Sequence, residues 1–184
     1  MRRQFAALAP PHAQPSVHSA VLVPIVETRG EAALVLIRRS EHLVHDAGQI
    51  AFPGGHLEPG EEALAAALRE SYEEIGLDPA LVEVIGSFGA VERRRDREWV
   101  VPFVGLVTGH PPLVGDGREV AAILEVPLVS LAADGVAWQE SWGAGEAEPG
   151  LCFFAGAGEL GRNLIWGLTA RVVWDLLAVI LAEA

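Results

Sequence analysis

Residues Gly55–Leu77 read GHLEPGEEALAAALRESYEEIGL. Just ahead of the run, Pro53 leads into Gly54 and Gly55, a combination that stops any regular element and leaves the backbone open to close approach. From Glu61 onward the pattern changes. Leu64, Leu68 and Ile75 recur at helical spacing and Gly76 stands where a helix would stop, which predicts a helix over Glu61–Ile75. On that helix Glu70, Glu73 and Glu74 are related by i,i+3 and i,i+4 steps. At about 100° per residue they share one narrow arc of surface. Carboxylates so placed repel by a few tenths of a kcal/mol per exposed pair. Two readings are open from these residues alone: a solvated acidic face, or a face that holds a divalent cation. An all-oxygen donor set would suit a hard ion such as Mg²⁺ or Mn²⁺.

Working outward, Ser19–Val26 and Ala33–Arg38 are strand-like around the turn Thr28-Arg29-Gly30. Gln49–Phe52 reads as a short strand that ends at Pro53. Leu81–Val91 and Trp99–Val107 read as two strands around the polar tip Glu92–Glu98. Pro127–Ala133 suggests a short helix, Asn163–Ile165 a last short strand, and Leu168–Leu181 a closing helix. Residues 1–18, with Pro10, Pro11 and Pro15 among alanines, are expected to form a flexible arm ahead of one domain over 19–184. No repeat, low-complexity block or linker interrupts it. Strands mixed with two longer helices place the chain in the α/β class, as a layered sandwich.

The bulk properties narrow the function classes. At 184 residues and 51% hydrophobic, the chain is long and apolar enough to bury a substantial core. A formal charge of −12 argues against nucleic acid as a partner. It leaves room for a small phosphorylated molecule, because a bound cation reverses the local field. Cys152 is the single cysteine, so no internal disulfide forms and a reducing, cytoplasmic setting is expected, with the thiol as a small buried apolar group. No apolar run approaches the roughly 20 residues of a membrane span. Arg2 and Arg3 are not followed by a long apolar stretch, so no cleaved signal peptide is expected. A homodimer is compatible with all of this.

The spacing within the opening run resembles the Nudix box, G-x5-E-x7-R-E-U-x-E-E-x-G-U, where U is a bulky aliphatic. Gly55, Glu61, Arg69, Glu70, Glu73, Glu74, Gly76 and Leu77 stand in register, and Ser71 takes one aliphatic position. The resemblance implies a Nudix α/β/α sandwich with a mixed sheet and hydrolysis of a pyrophosphate that links a nucleoside phosphate to another group. It implies Mg²⁺ or Mn²⁺ held by Glu70, Glu73 and Glu74 with the Gly55 carbonyl. Arg69 would orient the carboxylates by pairing with one of them, and Glu61 would hold the loop ahead of the helix. The general base varies in this family; Glu70, Glu98 and Glu119 are the candidates here, and Glu119 is counted with Arg69, Glu70, Glu73 and Glu74 as catalytic.

The flanks resemble the coenzyme A pyrophosphatase branch. Arg39, Ser40, Gly48, Phe52, Pro53, Gly54 and Gly55 match its L-L-T-x-R-[S/A]-x3-R-x3-G-x3-F-P-G-G signature, and Ile165–Ala170, Glu119 and Pro127-Leu128 fit its later part. Among the departures, Ile37 replaces a threonine, Val44 an arginine, and Asp46 stands where histidine is common. Valine has no guanidinium with which to grip a phosphate. The basic cluster Arg93-Arg94-Arg95 with Arg97 reads either as a phosphate clamp or as a solvated turn. Arg39, Ser40, Gly54 and Arg94 are the expected substrate contacts; His42, His45 and His56 read as surface histidines. The five tryptophans are expected mostly in the core or at its edge. Coenzyme A or an acyl derivative is the first substrate expected, with ADP-ribose, NADH or a nucleoside triphosphate as the alternative. Arg93 stands where the ADP-ribose branch has proline. A domain that senses a nucleotide without turnover is the rival from another class, and it usually has a damaged box.

Overall fold

A computed structural model describes residues 16–133, 136–140, 150–154 and 164–182. The expected arm, the tryptophan at position 142 and Asn163 lie almost wholly or wholly outside these residues. The sheet begins at Val17.

β1 (Val17–Thr28) and β2 (Glu31–Arg39) form a hairpin, with Thr28 paired to Glu31. Arg29 and Gly30 both have positive φ, 53° and 82°, the two-residue turn whose twist suits a hairpin. Both strands are buried over continuous runs, as strands covered on two faces are. Beyond Ile25 and Leu34 they separate. The segment that follows β2 fills the gap: β3 (Ile50–Ala51) pairs with β2 at Ile37 and Arg38, and β4 (Gly54–His56) pairs with β1 at Ser19, Ala20 and Val21. The glycine pair is thereby fixed in the middle of the sheet.

β5 (Val82–Ser87), β6 (Val91–Arg93) and β7 (Glu98–Val107) complete one side. β7 runs parallel to β1 and antiparallel to β5 and β6, which makes the sheet mixed. The single strand expected over Leu81–Val91 is two strands. A register shift between Val84 and Gly86, then Gly89 at φ 75°, break it. β8 (Val120–Pro127) pairs along β2 from Ala33 to Arg39 and was not anticipated. Nor were β9 (Ala137–Glu140) and β10 (Gly150–Phe154), which form a second, antiparallel sheet with β11 (Leu164–Trp166).

The helices are α1 (Ala63–Ile75), α2 (Leu128–Leu131) and α3 (Gly167–Leu181), close to the expected spans. Period-two alternation sends side chains to opposite layers. Ala33, Val35 and Ile37 pack with Ala66, Ala67 and Ile75 of α1. Leu34 and Leu36 pack with Val172, Val173 and Leu176 of α3, beside Phe153 and Ile165. The result is the expected α/β/α sandwich. Cys152 is buried, and Trp174 is half exposed with its ring centroid 6.5 Å from that of Phe153. No described helix is long and apolar enough to cross a membrane.

Candidate active site

Ala66 and Ala67 are fully buried and small, so α1 lies close on β1 and β4. This brings its acidic arc to the glycine pair. A Cβ built on Gly55 would fall 2.5 Å from Glu70 Cδ, so the Glu70 carboxylate rests directly on the Gly55 backbone. Gly54 has φ 150°, and a Cβ there would meet the Ala20 carbonyl at 2.3 Å; only glycine fits so close to β1. Gly76 ends the helix at φ 67°, and its N–H donates to the Tyr72 carbonyl at 2.9 Å. Ser71, in the aliphatic position of the motif, is fully buried and its hydroxyl donates to the Ala67 carbonyl at 2.6 Å.

Arg69 is the hub. Its Nε and Nη2 donate to the two oxygens of Glu61 at 2.9 and 3.0 Å, a bidentate pair. Nη1 donates to Glu70 at 2.9 Å and to Glu73 at 3.2 Å, and Nη2 also reaches the His56 carbonyl at 3.1 Å. One guanidinium thus ties the loop before α1, two carboxylates of the arc and the glycine strand. The hydrogen bond from Arg69, with a second from the Glu58 N–H, holds the Glu61 carboxyl down to about 2. The Glu61 bond in turn raises the Arg69 pKa.

Glu74 faces inward and is 5% exposed. It accepts from the Gly54 N–H at 2.9 Å and lies 3.8 Å from Arg39 Nη1. Burial pushes its carboxyl up to about 8, against the Gly54 bond and the Arg39 charge; Glu70 and Glu119 repel its anion and push the same way. Arg39 Nη2 lies 3.5 Å from Glu119, whose side chain is half exposed. Ser40 is buried and its N–H donates to the Glu119 carbonyl at 2.8 Å. Arg39, Ser40, Gly54, Gly55 and Glu119 are therefore brought together around α1.

The other expected residues are more distant in role. Glu98 is 3.2 Å from His56 and pairs with Arg93. Arg93 and Arg95 both engage Asp96, Arg95 also pairs with Asp46, and Arg97 pairs with Glu92. Much of the basic cluster's charge is thus met inside the protein, with Arg94 on the exposed face of the tip. His42 and His45 are exposed, and Val44 is 90% exposed.

Asp116 is one residue the sequence reading did not single out. Its Oδ1 accepts from the N–H groups of Arg118, Glu119 and Val120 at 3.1, 3.0 and 2.9 Å. Asp116-Gly117, with Gly117 at φ 71°, is the turn signal that could have found it.

Residues 16–144 match the family profile described as NUDIX domain. The chain belongs to the Nudix family. It is 41% identical over 111 residues to a protein of Yersinia pestis (strain Pestoides F) described as an uncharacterized Nudix hydrolase NudL, covering 60% of this chain and 55% of that protein. The same figures hold for the protein of that description from Yersinia pseudotuberculosis serotype O:1b (strain IP 31758). The chain thus spans about half the length of the curated relatives it matches. Among solved structures it resembles the Nudix hydrolase RenU of M. smegmatis, with a TM-score of 0.61 and 18% identity over 91% of this chain and 86% of that one. It also resembles a MutT/nudix family protein of Enterococcus faecalis, with a TM-score of 0.57 and 22% identity over 94% of this chain and 64% of that one. At these identities the structures speak to the Nudix fold alone.

Within that fold the donor chemistry bears on a cation. Among the described residues no three Asp, Glu, His or Cys side chains converge as a ready-made cage. Arg69 occupies Glu70 and Glu73, and Glu74 turns to Gly54 and Arg39. The arc nevertheless supplies oxygen donors alone, and the buried Glu74 carboxylate is repelled by the charges of Glu70 and Glu119 beside it. Both features fit a hard divalent ion, which a Nudix hydrolase generally uses.

Proposed function

We propose that this Nudix protein is a metal-dependent pyrophosphohydrolase that cleaves a nucleoside-diphosphate-linked small molecule, with coenzyme A or an acyl derivative as substrate. The products would be 3′,5′-ADP and phosphopantetheine or its acyl form. One observation carries the hydrolytic reading: the Glu70 carboxylate rests on the Gly55 backbone while Arg69 fixes it together with Glu61 and Glu73. A purely solvated acidic face needs neither the glycine nor the shared guanidinium.

Glu70, Glu73 and Glu74 with the Gly55 carbonyl would hold Mg²⁺ or Mn²⁺. When bound, such an ion neutralises phosphoryl charge and makes water a better nucleophile at neutral pH. The chain's own residues do the rest. Arg69 keeps the carboxylates in place, so little reorganisation is needed when substrate arrives. We assign phosphate contacts to Arg39, with Ser40 and Gly54 beside it and Arg94 at the hairpin tip. Glu119 takes the proton of the attacking water. Its half-exposed carboxylate stands beside Arg39, whereas Glu98 is engaged by Arg93 and His56 and Glu70 by Arg69. The coenzyme A assignment is supported by the match from Arg39 through Gly55 and by the contacts that join Arg39 and Ser40 to Glu119.

The purified protein with Mg²⁺, offered coenzyme A, acetyl-coenzyme A, ADP-ribose, NADH and nucleoside triphosphates, tests this directly. Release of 3′,5′-ADP from coenzyme A is expected. Turnover of another member with coenzyme A inert would overturn the substrate. No turnover of any member at several pH values, with Mn²⁺ also tried, would overturn the enzyme in favour of a nucleotide-sensing domain.

A further inference from the structure

A closed circuit of contacts runs through the end of α1. The Asp116 N–H donates to the Glu74 carbonyl at 3.0 Å, two residues after the Val114 N–H donates to the Ile75 carbonyl at 3.0 Å. The Asp116 carboxylate then gathers the N–H groups of residues 118–120. The middle one belongs to Glu119, whose second bond to Asp116, at Oδ2, is 3.1 Å long. Glu119 reaches Arg39 through its carboxylate and Ser40 through its carbonyl. Arg39 closes the circuit on the Glu74 carboxylate. Each link is a polar contact, and together they join three separate stretches of chain.

We infer that Asp116 is a positioning residue: it sets where the Glu119 carboxylate stands, and through Glu119 it sets how the Arg39 guanidinium is shared between Glu119 and Glu74. This rests on the reading of Glu119 as the proton acceptor. Among the described residues, the Asp116 carboxylate accepts from backbone N–H groups and acts on Arg39 only through Glu119. Its action is confined to backbone: three convergent N–H donors fix the φ and ψ of a residue whose side chain is otherwise half in solvent. Holding a flexible carboxylate that way removes conformations in which it points away from the attacking water. The carboxylate is well suited to the task, since a negative group accepts N–H bonds more strongly than a neutral one. Burial works to raise the Asp116 pKa, and the backbone bonds from Val120, Glu119 and Arg118 outweigh it and lower it.

The test uses Asp116→Ala, Asp116→Asn, Glu119→Gln and the double variant Asp116→Ala/Glu119→Gln. Asparagine keeps the Oδ1 acceptor that takes all three N–H groups, so it should retain kcat. Alanine should lower kcat by about tenfold to a hundredfold with KM little changed, the penalty of a misplaced catalytic group. In the Glu119→Gln background the alanine change should cost almost nothing further, because both remove the same function. A structural role alone would give additive losses, or a lower melting temperature at unchanged kcat; either outcome overturns the inference. So does a fall in kcat for Asp116→Ala beside an unaffected Glu119→Gln. A readout free of turnover separates this from failure of the hydrolase reading. Arg39 Nε is buried without an acceptor among the described residues, so its N–H should give a protected, resolvable NMR signal. That signal, assigned with Arg39→Lys, should shift alike in Asp116→Ala and Glu119→Gln and stay in place in Asp116→Asn. An Arg39 signal unmoved by Asp116→Ala overturns the inference, whether or not any substrate is hydrolysed.

Discussion

Glu70 occupies the space that any side chain at Gly55 would need, with its carboxylate oxygen 2.5 Å from where a Cβ would sit. Two adjacent glycines therefore have different reasons to be glycine, and substitution should separate them. Gly55→Ala clashes with the end of a flexible side chain, which can swing away. The protein should fold with its melting temperature little changed and lose at least about tenfold in kcat, because Glu70 has left its place. Gly54→Ala clashes with the Ala20 carbonyl and Val21 Cα, which are backbone, and adds a strained φ. It should cost several kcal/mol of stability. Calorimetry and kinetics on the two variants would check this; equal melting temperatures would contradict it.

Arg69 uses all three of its nitrogens, on four acceptor groups. Lysine offers one nitrogen and cannot span them. Arg69→Ala should destabilise by about 1–3 kcal/mol, the range for losing charge-assisted bonds at a partly buried position. Arg69→Lys should recover little of that and little activity. Urea denaturation of both variants gives the comparison, and full rescue by lysine would reduce Arg69 to an ordinary helix ion pair.

The helix and its arc were legible because their signals are local. Leu68 and Ile75 mark a face, Gly76 marks an end, and fixed spacing puts Glu70, Glu73 and Glu74 together. Arg69 was expected to pair with one carboxylate and pairs with three, since Glu61 comes within reach only after the loop folds back over eight residues. What the sequence hid is non-local. Nothing in Ile50–His56 says that it slips between β1 and β2, yet that insertion fixes Gly54 and Gly55. β8 escaped notice because its burial hardly alternates, and its place beside β2 follows from pairing rather than from pattern. Asp116 carries only the local signal of an Asp-Gly turn, and the convergence of three N–H groups on its carboxylate depends on the folded loop.

Glu74 makes stability depend on pH in chelator-treated protein. An unfolded glutamate titrates near 4.5, and the folded one is pushed up to about 8. Below 4.5 both states carry the proton and the residue contributes nothing to the pH dependence. Between 4.5 and 8 the unfolded chain has released its proton while the folded chain keeps it, so stability falls as pH rises; above 8 the penalty is constant. Glu74→Gln removes the titration and keeps an acceptor for the Gly54 N–H. Its melting temperature relative to the parent should therefore rise with pH, with the largest gain at pH 8 and above and none near 4.5. A difference that does not vary with pH would mean that burial does not hold this carboxyl protonated.

The same carboxylate should reverse its role when a divalent ion is supplied. A ligand that binds only the native state stabilises it by RT ln(1 + [L]/Kd), about 2.7 kcal/mol at a hundredfold excess over Kd. Millimolar Mg²⁺ should therefore raise the melting temperature of the parent at pH 7.5, and Mn²⁺ should do so as well. Glu70→Gln and Glu74→Gln remove donors on opposite sides of the arc, one against Gly55 and one against Gly54. Each should flatten the Mg²⁺ response. Glu125→Gln, which alters a carboxylate paired with His110, should leave it intact. Metal binding also competes with the proton on Glu74, so the Mg²⁺ shift should grow between pH 6 and 8 in the parent, across the approach to the raised pKa of about 8. Differential scanning calorimetry over a Mg²⁺ titration reads all of these. A shift that Glu70→Gln and Glu74→Gln both preserve would place the cation elsewhere, and would leave Arg69 and Arg39 as the cations that the acidic arc holds among the described residues.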